Sequence, residues 1–418
     1  MPHLDVYLNS TWVGQLFQDD KGRLGFSYRE EFLNSPEAAP ISRHLPLGTQ
    51  GFGDGPTRAF FANLLPEGDV LEQTVRRLGI PKENVFALLE RMGGDCAGAV
   101  SVLLPGHTPA TEDAYRRIAE KELGTLLKDL PAHPFLADEE GVRLSLAGAQ
   151  NKLPVFYDGE GFHIPEGGAP SSHILKTAIP KLEDTVGNEV FCMKLARAVG
   201  MSVPPVDMVA LGGEPVYMVE RYDRRRSPGD VTLRIHQEDF CQALGVVPAL
   251  KYEAHGGPGF EDVFHLVREW STEPLPDTDA LLRWALFNFL IGNADAHGKN
   301  LSFTYDQRAV RLSPFYDLLS TAAYEGKVNN KFAMRMGKQK DPRYLSVSNL
   351  EEFAQQAGIG RRAVFAELKR LADRTEREAK VLTDFFVEKG PHRVIALRIG
   401  DVITARIAKA RYLLQGAK

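Results

Sequence analysis

The sequence predicts an α+β molecule with a β-rich beginning and a mostly helical end, and three observations carry that expectation. Short alternating runs open the chain, strands and helices interleave in its middle, and helical stretches dominate after about residue 230. Its 418 residues, 43% hydrophobic and 25% charged, suit two or three domains or one large two-lobed molecule. The pattern divides into residues 1–108, 109–225 and 226–418.

In the first segment LDVYLN, WVGQLF and RLGFSY alternate apolar with polar residues. They are separated by Asn9-Ser10 and by the turn from Asp19 to Gly22, which reads as an antiparallel meander. Gly- and Pro-rich loops follow, then TRAFFANLLPEG, VLEQTVRRLG and NVFALLERMG. The last two carry apolar residues at helical spacing, and each stops at a glycine. GAVSVLLP closes the segment as a strand, and PGHTPATED reads as a linker near residue 110.

The second segment begins with RLSLAGAQNKLPVFYD, expected as strand, loop, strand. HILKTAIP is a short buried strand carrying a lysine, DTVGNEVFCMKLARAVG a helix, and EPVYMVERYDR a strand running into a charged connector. In the third segment QEDFCQALG, FEDVFHLVREW and ALLRWALFNFLIG read as helices, the last ending at Gly292. LSFTYD and AVRLSPFYD are strands flanking a turn at Asp306-Gln307, and three further helical stretches complete the chain.

Fifty Lys and Arg against fifty-five Asp and Glu leave a net charge of −5, which argues against a nucleic-acid coat or a polybasic membrane binder. Cys96, Cys192 and Cys241 are too few and too scattered for a disulfide framework or a four-cysteine zinc site. The start lacks a basic segment followed by an apolar run, and no apolar stretch approaches the roughly 18 residues of a membrane span. The expectation is a soluble, cytoplasmic protein.

Gly292-Asn293-Ala294-Asp295-Ala296-His297-Gly298-Lys299-Asn300 is the most informative stretch, because it sets polar residues between an apolar helix and a strand. Asp295 and Asn300 stand five residues apart. In phosphoryl transfer that spacing serves an aspartate that accepts the proton of the attacking hydroxyl and an asparagine oxygen that binds the metal on the phosphates. A magnesium site needs a second oxygen ligand, and Asp317 lies one hairpin downstream. Taken singly, Asp295 and Asn300 could be turn residues and Asp317 a helix N-cap; taken jointly and in this order they favour the chemical reading.

Lys176 interrupts the apolar run of its strand, and an inward lysine calls for an anion. Phosphate oxygens are one candidate partner and Glu189 on the next helix another; a strand-end lysine reaching water along its stem is the alternative. Ser145 to Lys152 is a turn of small residues whose backbone N–H groups could approach phosphates, although it matches neither GxGxxG nor a Walker motif. Glu220-Arg221-Tyr222-Asp223 follows an apolar strand and could form a hinge that reads adenine through its backbone, with Asp223 reaching the ribose hydroxyls.

Ser-Leu-Ala-Gly-Ala-Gln-Asn-Lys, His-Ile-Leu-Lys, Glu-Arg-Tyr-Asp-Arg, Gly-Asn-Ala-Asp-Ala-His-Gly-Lys-Asn and Ser-Pro-Phe-Tyr-Asp-Leu occur here in the order of the HipA family. The whole chain resembles that family of bacterial serine/threonine-protein kinase toxins, including the RAFFANLLPEG region of its N-terminal subdomain. The resemblance implies a two-lobed protein-kinase-like fold that uses ATP and Mg²⁺. Asp295 would be the catalytic aspartate, and Asn300 and Asp317 the magnesium ligands. Lys176 would hold the α/β-phosphates. Leu146, Ala147, Gly148, Ala149, Gln150, Asn151 and Lys152 would form the phosphate loop, and Glu220, Arg221 and Tyr222 the adenine hinge. His297 and Lys299 fall within reach of phosphates, or else fix their loop by hydrogen bonds. Ser145 matches the serine such kinases autophosphorylate, a change that adds about −2 charge beside the loop.

The resemblance also implies partners: a translation-machinery protein as substrate, for example an aminoacyl-tRNA synthetase, and a small helix-turn-helix antitoxin through which DNA would be met. Unlike eukaryotic kinases, the chain has no His-Arg-Asp before its catalytic loop, and Leu318 follows Asp317 where they have Phe-Gly. Two other functions stay open on sequence: a small-molecule or lipid kinase of the same plan, and a non-catalytic co-repressor in an antitoxin–DNA complex. The second would use Arg361, Arg362, Lys369, Arg370, Arg374, Arg377 and Lys380 against DNA phosphates; a solvated helix face offset by Glu367, Asp373, Glu376 and Glu378 is the simpler reading.

Overall fold

The alternating runs at the N-terminus form strands because each places one apolar face on a shared core. In the computed structural model, which describes residues 1–109, 114–139, 141–226, 232–306 and 309–416, they are His3–Leu8, Thr11–Gln18 and Leu24–Tyr28. With Val100–Leu103 they make a four-stranded antiparallel sheet in which His3–Leu8 is flanked by Thr11–Gln18 and Val100–Leu103. Leu4, Val6, Val13, Leu16 and Phe26 are fully buried against Phe60, Phe61, Leu88 and Leu89 of the helices Asp54–Phe61 and Val85–Met92. Part of the linker (110–113) and one residue of the expected turn (Gln307) fall outside the described residues.

The first five strands of a second, six-stranded sheet are, in spatial order, Tyr115–Ile118, Phe162–Pro165, Lys152–Tyr157, His173–Lys176 and Glu214–Glu220, paired antiparallel. Two corrections to the sequence reading arise here. The stretch 143–146, expected as a strand, makes only an isolated bridge from Leu144 to Asp95, because Ser145 turns its side chain to a loop carbonyl. QEDFCQALG, expected as a helix, is split between the strand His236–Asp239 and the short helix Phe240–Leu244. Asp239 and Gln242 form a capping box at that junction, which starts the helix late.

By contact density the chain divides into two compact units. The first comprises Met1–Thr177, Val209–Ala249 and Thr304–Arg308, and holds both sheets described above; the second comprises Ala178–Met208, Leu250–Phe303 and Ala309–Lys418. The second unit is built on the helices Thr185–Ala198, Phe260–Trp270, Pro274–Ile291, Val347–Ala357, Arg361–Lys389 and Arg393–Gly416. Pro274–Ile291 is apolar around most of its girth, which fits a central helix, and Trp284, Phe287 and Leu290 on it are fully buried. Phe260 and Phe264 pack on Phe353 of the Val347–Ala357 helix, with ring centroids 4.9 and 6.1 Å apart. Among the described residues no helix is long and apolar enough to cross a membrane, and all three cysteines are buried free thiols.

Candidate active site

In the first unit, backbone pairing brings two lysines face to face. Lys152 and Lys176 are direct partners on adjacent antiparallel strands, and Tyr217 is the partner of Lys176 on the next. Side chains directly opposite on such strands share one face, so the three form a row across the sheet. Both lysines are under one-tenth exposed. Lys152 Nζ donates to the Ala147 carbonyl, and Lys176 Nζ lies 5.2 Å above the Tyr217 ring. Two cationic side chains opposed on one face of a sheet concentrate positive charge there. A row of this kind is suited to a polyanion.

The loop before Lys152 is fastened at several points. Gly148 has φ +111°, a backbone that residues with a Cβ rarely adopt, and a Cβ there would also push on Lys152 Nζ. The Gly148 carbonyl accepts from the Glu67 amide at 3.1 Å, and Gln150 Nε2 donates to the Thr177 carbonyl at 2.9 Å. Asn151 leaves its amide oxygen buried without a partner, a cost that a hydrogen-bonding ligand would remove. Leu146 is in the core, whereas Ala149 is exposed at the tip. Ser145 is fully buried: its hydroxyl donates to the Leu64 carbonyl at 2.7 Å and its amide to the Asp95 carbonyl at 3.1 Å.

The hinge stretch behaves differently from the sequence reading. Glu220 is exposed at the end of its strand, but Arg221 and Asp223 are buried. Arg221 gives its amide to the Ser172 carbonyl and its guanidinium to Asp223, Asp95, Ser171 and the Cys96 carbonyl. Asp223 takes Arg221, Arg224 and the Gly98 amide (2.7 Å), which leaves its carboxylate committed to protein groups and not turned to ribose. Tyr222 donates its hydroxyl to the Gln237 side chain.

At the centre of this cluster is Asp95, which receives Arg224 at 2.7 Å, Arg234 at 3.1 Å and Arg221 at 3.2 Å. Burial alone would push its carboxyl up; the Arg224, Arg221 and Arg234 guanidiniums outweigh that and hold it well below the usual carboxylate range. Because the Asp95 backbone also meets Leu144 and Ser145, the same residue ties the stretch 221–224 to the start of the 145–152 loop.

In the second unit the catalytic-loop candidates start from a helix end that only glycine can make. Gly292 caps Pro274–Ile291 at φ +69°, and a Cβ there would lie 2.7 Å from Ala322 and 2.8 Å from Val402. Asn293 then donates to Asn288 and accepts the Asp295 amide at 3.0 Å, while Thr321 Oγ1 accepts the Ala294 amide at 2.8 Å. These bonds present Asp295 exposed on a fixed backbone.

Asn300 accepts the His297 amide on its side-chain oxygen at 3.1 Å, and its amide nitrogen lies 3.4 Å from Asp317 Oδ2. Lys299 offers its carbonyl to the Tyr316 hydroxyl at 2.8 Å, and His297 packs edge-on against the Tyr252 ring. Asp317 itself has φ +57°, a left-handed backbone that costs a non-glycine residue about 1–3 kcal/mol and is kept where surroundings over-determine it. Here Asn188 clasps Ser320 through both its amide groups, and the Phe315 amide reaches the Ser202 carbonyl at 2.8 Å. Asp277 grips the preceding strand through Arg311 and the Leu312 amide, both at 2.9 Å.

A carboxylate and a side-chain amide oxygen are ligands that Mg²⁺ takes alongside waters and phosphates, and here Asn300 would have to turn its oxygen from the His297 amide, and its nitrogen from Asp317, to serve as one. The structure thus brings Asn300 and Asp317 together. Lys176 belongs to the first unit and Glu189, buried on the Thr185–Ala198 helix, to the second. Sequence reasoning missed Asp95, Arg234, Tyr252 and Thr321, none of which sits in a recognisable motif, and gave no role to Arg224, the last residue of Glu-Arg-Tyr-Asp-Arg. The basic residues of Arg361–Lys389 are largely paired within their own neighbourhood: Arg361 with Glu351, Lys369 with Asp373, Arg370 with Glu367, and Arg377 with Glu378.

Comparison with known proteins completes the picture. A HipA N-terminal domain family model matches residues 4–103, and a HipA-like C-terminal domain model matches residues 144–379. The chain is 43% identical to the Y4mE protein of Sinorhizobium fredii over 394 residues, covering 91% of this chain and 92% of that one. It is 35% identical to the serine/threonine-protein kinase toxin HipA of Shewanella oneidensis over 384 residues, covering 89% and 87%. A crystal structure of the Shewanella oneidensis HipA, HipB and operator DNA complex superposes with a TM-score of 0.86 at 31% identity, covering 99% of this chain and 98% of that one. With both family models on one chain and this likeness along nearly its whole length, the chain belongs to the HipA family of serine/threonine-protein kinase toxins.

Proposed function

We propose that this HipA-family kinase transfers the γ-phosphoryl group of ATP to a serine or threonine hydroxyl, with Asp295 as the base. The observation that carries the reading is the second unit's arrangement: an exposed carboxylate on a braced loop, with Asn300 of the same loop hydrogen-bonded to Asp317, 17 residues further along the chain. The acceptor oxygen bonds to the γ-phosphorus, the bond from that phosphorus to the β–γ bridging oxygen breaks, and the acceptor proton passes to Asp295. Asn300 and Asp317 would hold Mg²⁺, which neutralises phosphate charge. Lys152, Lys176 and the backbone amides of 146–151 are the groups of the first unit suited to phosphate oxygens. Glu220 and Tyr222 are the hinge residues left to face adenine, while Arg221 and Asp223 pin the hinge from within.

Ser145 is the self-modification site in this reading. Its hydroxyl is buried, so a phosphoryl group of about −2 charge cannot be accommodated without expelling the loop. Similarity to a HipA crystallised with HipB and operator DNA supports an antitoxin partner and DNA met through that complex; a cytoplasmic toxin, a small helix-turn-helix antitoxin and a translation-machinery substrate are what this reading adds.

Asp295→Asn and Asp317→Ala test the site. Each should lower transfer of labelled γ-phosphate by at least about 100-fold with the thermal midpoint nearly unchanged. Transfer within about tenfold of the parent in both variants would refute the assignment.

A further inference from the structure

The Asp295 carboxylate already has a hydroxyl on it. Tyr252 Oη donates to Asp295 Oδ1 at 2.6 Å, while the Tyr252 ring stands edge-on to His297 with centroids 5.0 Å apart. Tyr252 is half-buried at the head of the short turn Glu253–His255. Its carbonyl accepts the amides of His255 (2.9 Å) and Gly257 (3.0 Å), and Glu253 accepts the Arg335 amide at 2.5 Å and Nε at 2.8 Å. A Cβ on Gly257 would fall 1.9 Å from the Leu250 carbonyl oxygen, so this turn closes tightly and holds the phenol in place.

The bond is not needed to shape the Asp295 loop. Asn293 and Thr321 already fix the backbone there, and the ring contact with His297 does not involve the hydroxyl. What the hydroxyl does is direct an O–H at the oxygen that would take the acceptor proton, which is how an acceptor serine or threonine must also approach. We propose that Tyr252 occupies the acceptor-hydroxyl position on Asp295 Oδ1 and holds water off that oxygen until the acceptor side chain displaces it. This rests on the reading of Asp295 as the base.

Displacement exchanges one charge-assisted hydrogen bond for another of the same kind, so a correct acceptor meets little penalty. Water is the competitor to be excluded. With water on the carboxylate, its oxygen would bond to the γ-phosphorus, the β–γ bridge would break, and its proton would pass to Asp295, wasting ATP as ADP and phosphate.

Phosphate release from Mg·ATP by the full chain, without protein acceptor, tests the idea. Tyr252→Phe keeps the ring and opens room for a water at the carboxylate. Release should rise at least about threefold with the KM for ATP within about twofold of the parent, an increase that a purely structural role would not produce. Release that is unchanged or lower overturns the proposal. In the Tyr252→Phe background, adding Asp295→Asn should return release to the parental level or below. If the double variant hydrolyses as fast as Tyr252→Phe alone, the fault lies with Asp295 as base.

Discussion

Ser145 shows how much a single residue can decide. Its hydroxyl donates to the Leu64 carbonyl from a fully buried position, and its amide is bonded to Asp95, so the phosphate loop begins from a fastened point. Removing the hydroxyl costs one hydrogen bond, about 1 kcal/mol, and leaves the loop's other fastenings intact. Introducing a carboxylate buries a charge that faces a carbonyl oxygen, which costs several kcal/mol unless the segment leaves. Ser145→Ala should therefore retain ATP binding and lose the self-labelled phosphopeptide spanning residue 145. Ser145→Asp should bind a fluorescent ATP analogue at least about tenfold more weakly. Equal binding by both variants would show that the loop tolerates charge where it stands. Asp317 makes the complementary point: its left-handed backbone sits beside the Asn188–Ser320 clasp, so the strain falls on the carboxylate proposed as a metal ligand.

Between residues and the whole molecule, the sheet pairing of the first unit determines which cations meet. Lys152 and Lys176 face one another only because Lys152–Tyr157 and His173–Lys176 pair in this register; a slip of one residue would turn one lysine to the opposite face. Each should contribute to ATP affinity, and the two should be coupled because they share one anion. Lys176→Met and Lys152→Met should each raise the KM for ATP about tenfold or more, with the double variant falling short of the product of the two. Simple additivity would mean that the lysines serve separate ends.

This is also where the limits of sequence reading lie. The candidate catalytic loop stands out in the sequence because nine consecutive residues hold Asp295, His297, Lys299 and Asn300 in fixed spacing. Lys176 stood out as a charge in an apolar run, yet its partner Lys152 depends on strand register, which the short runs leave undetermined. Asp95 collects Arg221, Arg224 and Arg234 from positions more than a hundred residues away, and Tyr252 reaches Asp295 from 43 residues upstream. No local pattern announces either. The Asp223 expectation differed for the same reason: an aspartate after a strand looks available until the guanidiniums that occupy it are known.

Across the molecule, buried ionisable groups of opposite tendency set how stability depends on pH. Glu238 is fully buried, and burial pushes its carboxyl up to about 7, against the hydroxyls of Ser42 and Tyr305 and the Arg43 amide. An unfolded glutamate ionises near 4.5, so between there and pH 7 the folded state holds the extra proton. That contribution is complete below about pH 4.5 and is lost as pH rises to 7. Nearby His236, bonded to the Ile41 carbonyl, is pushed down to about 4 by burial. Its contribution is present above 6.5 and lost as pH falls through 4, so the two slopes oppose each other. Asp95 and Asp223, held low by their arginines, add stability above about pH 4 that disappears on stronger acidification. The parent should accordingly show a shallow pH profile that conceals the cost of Glu238. Glu238→Gln keeps the shape and removes the ionisation, and should raise the unfolding free energy at pH 7.5 by about 2–3 kcal/mol while changing it little at pH 5. Urea melts of both proteins at the two pH values measure the difference directly; an equal shift at both would mean that Glu238 is not the group whose burial opposes folding near neutrality.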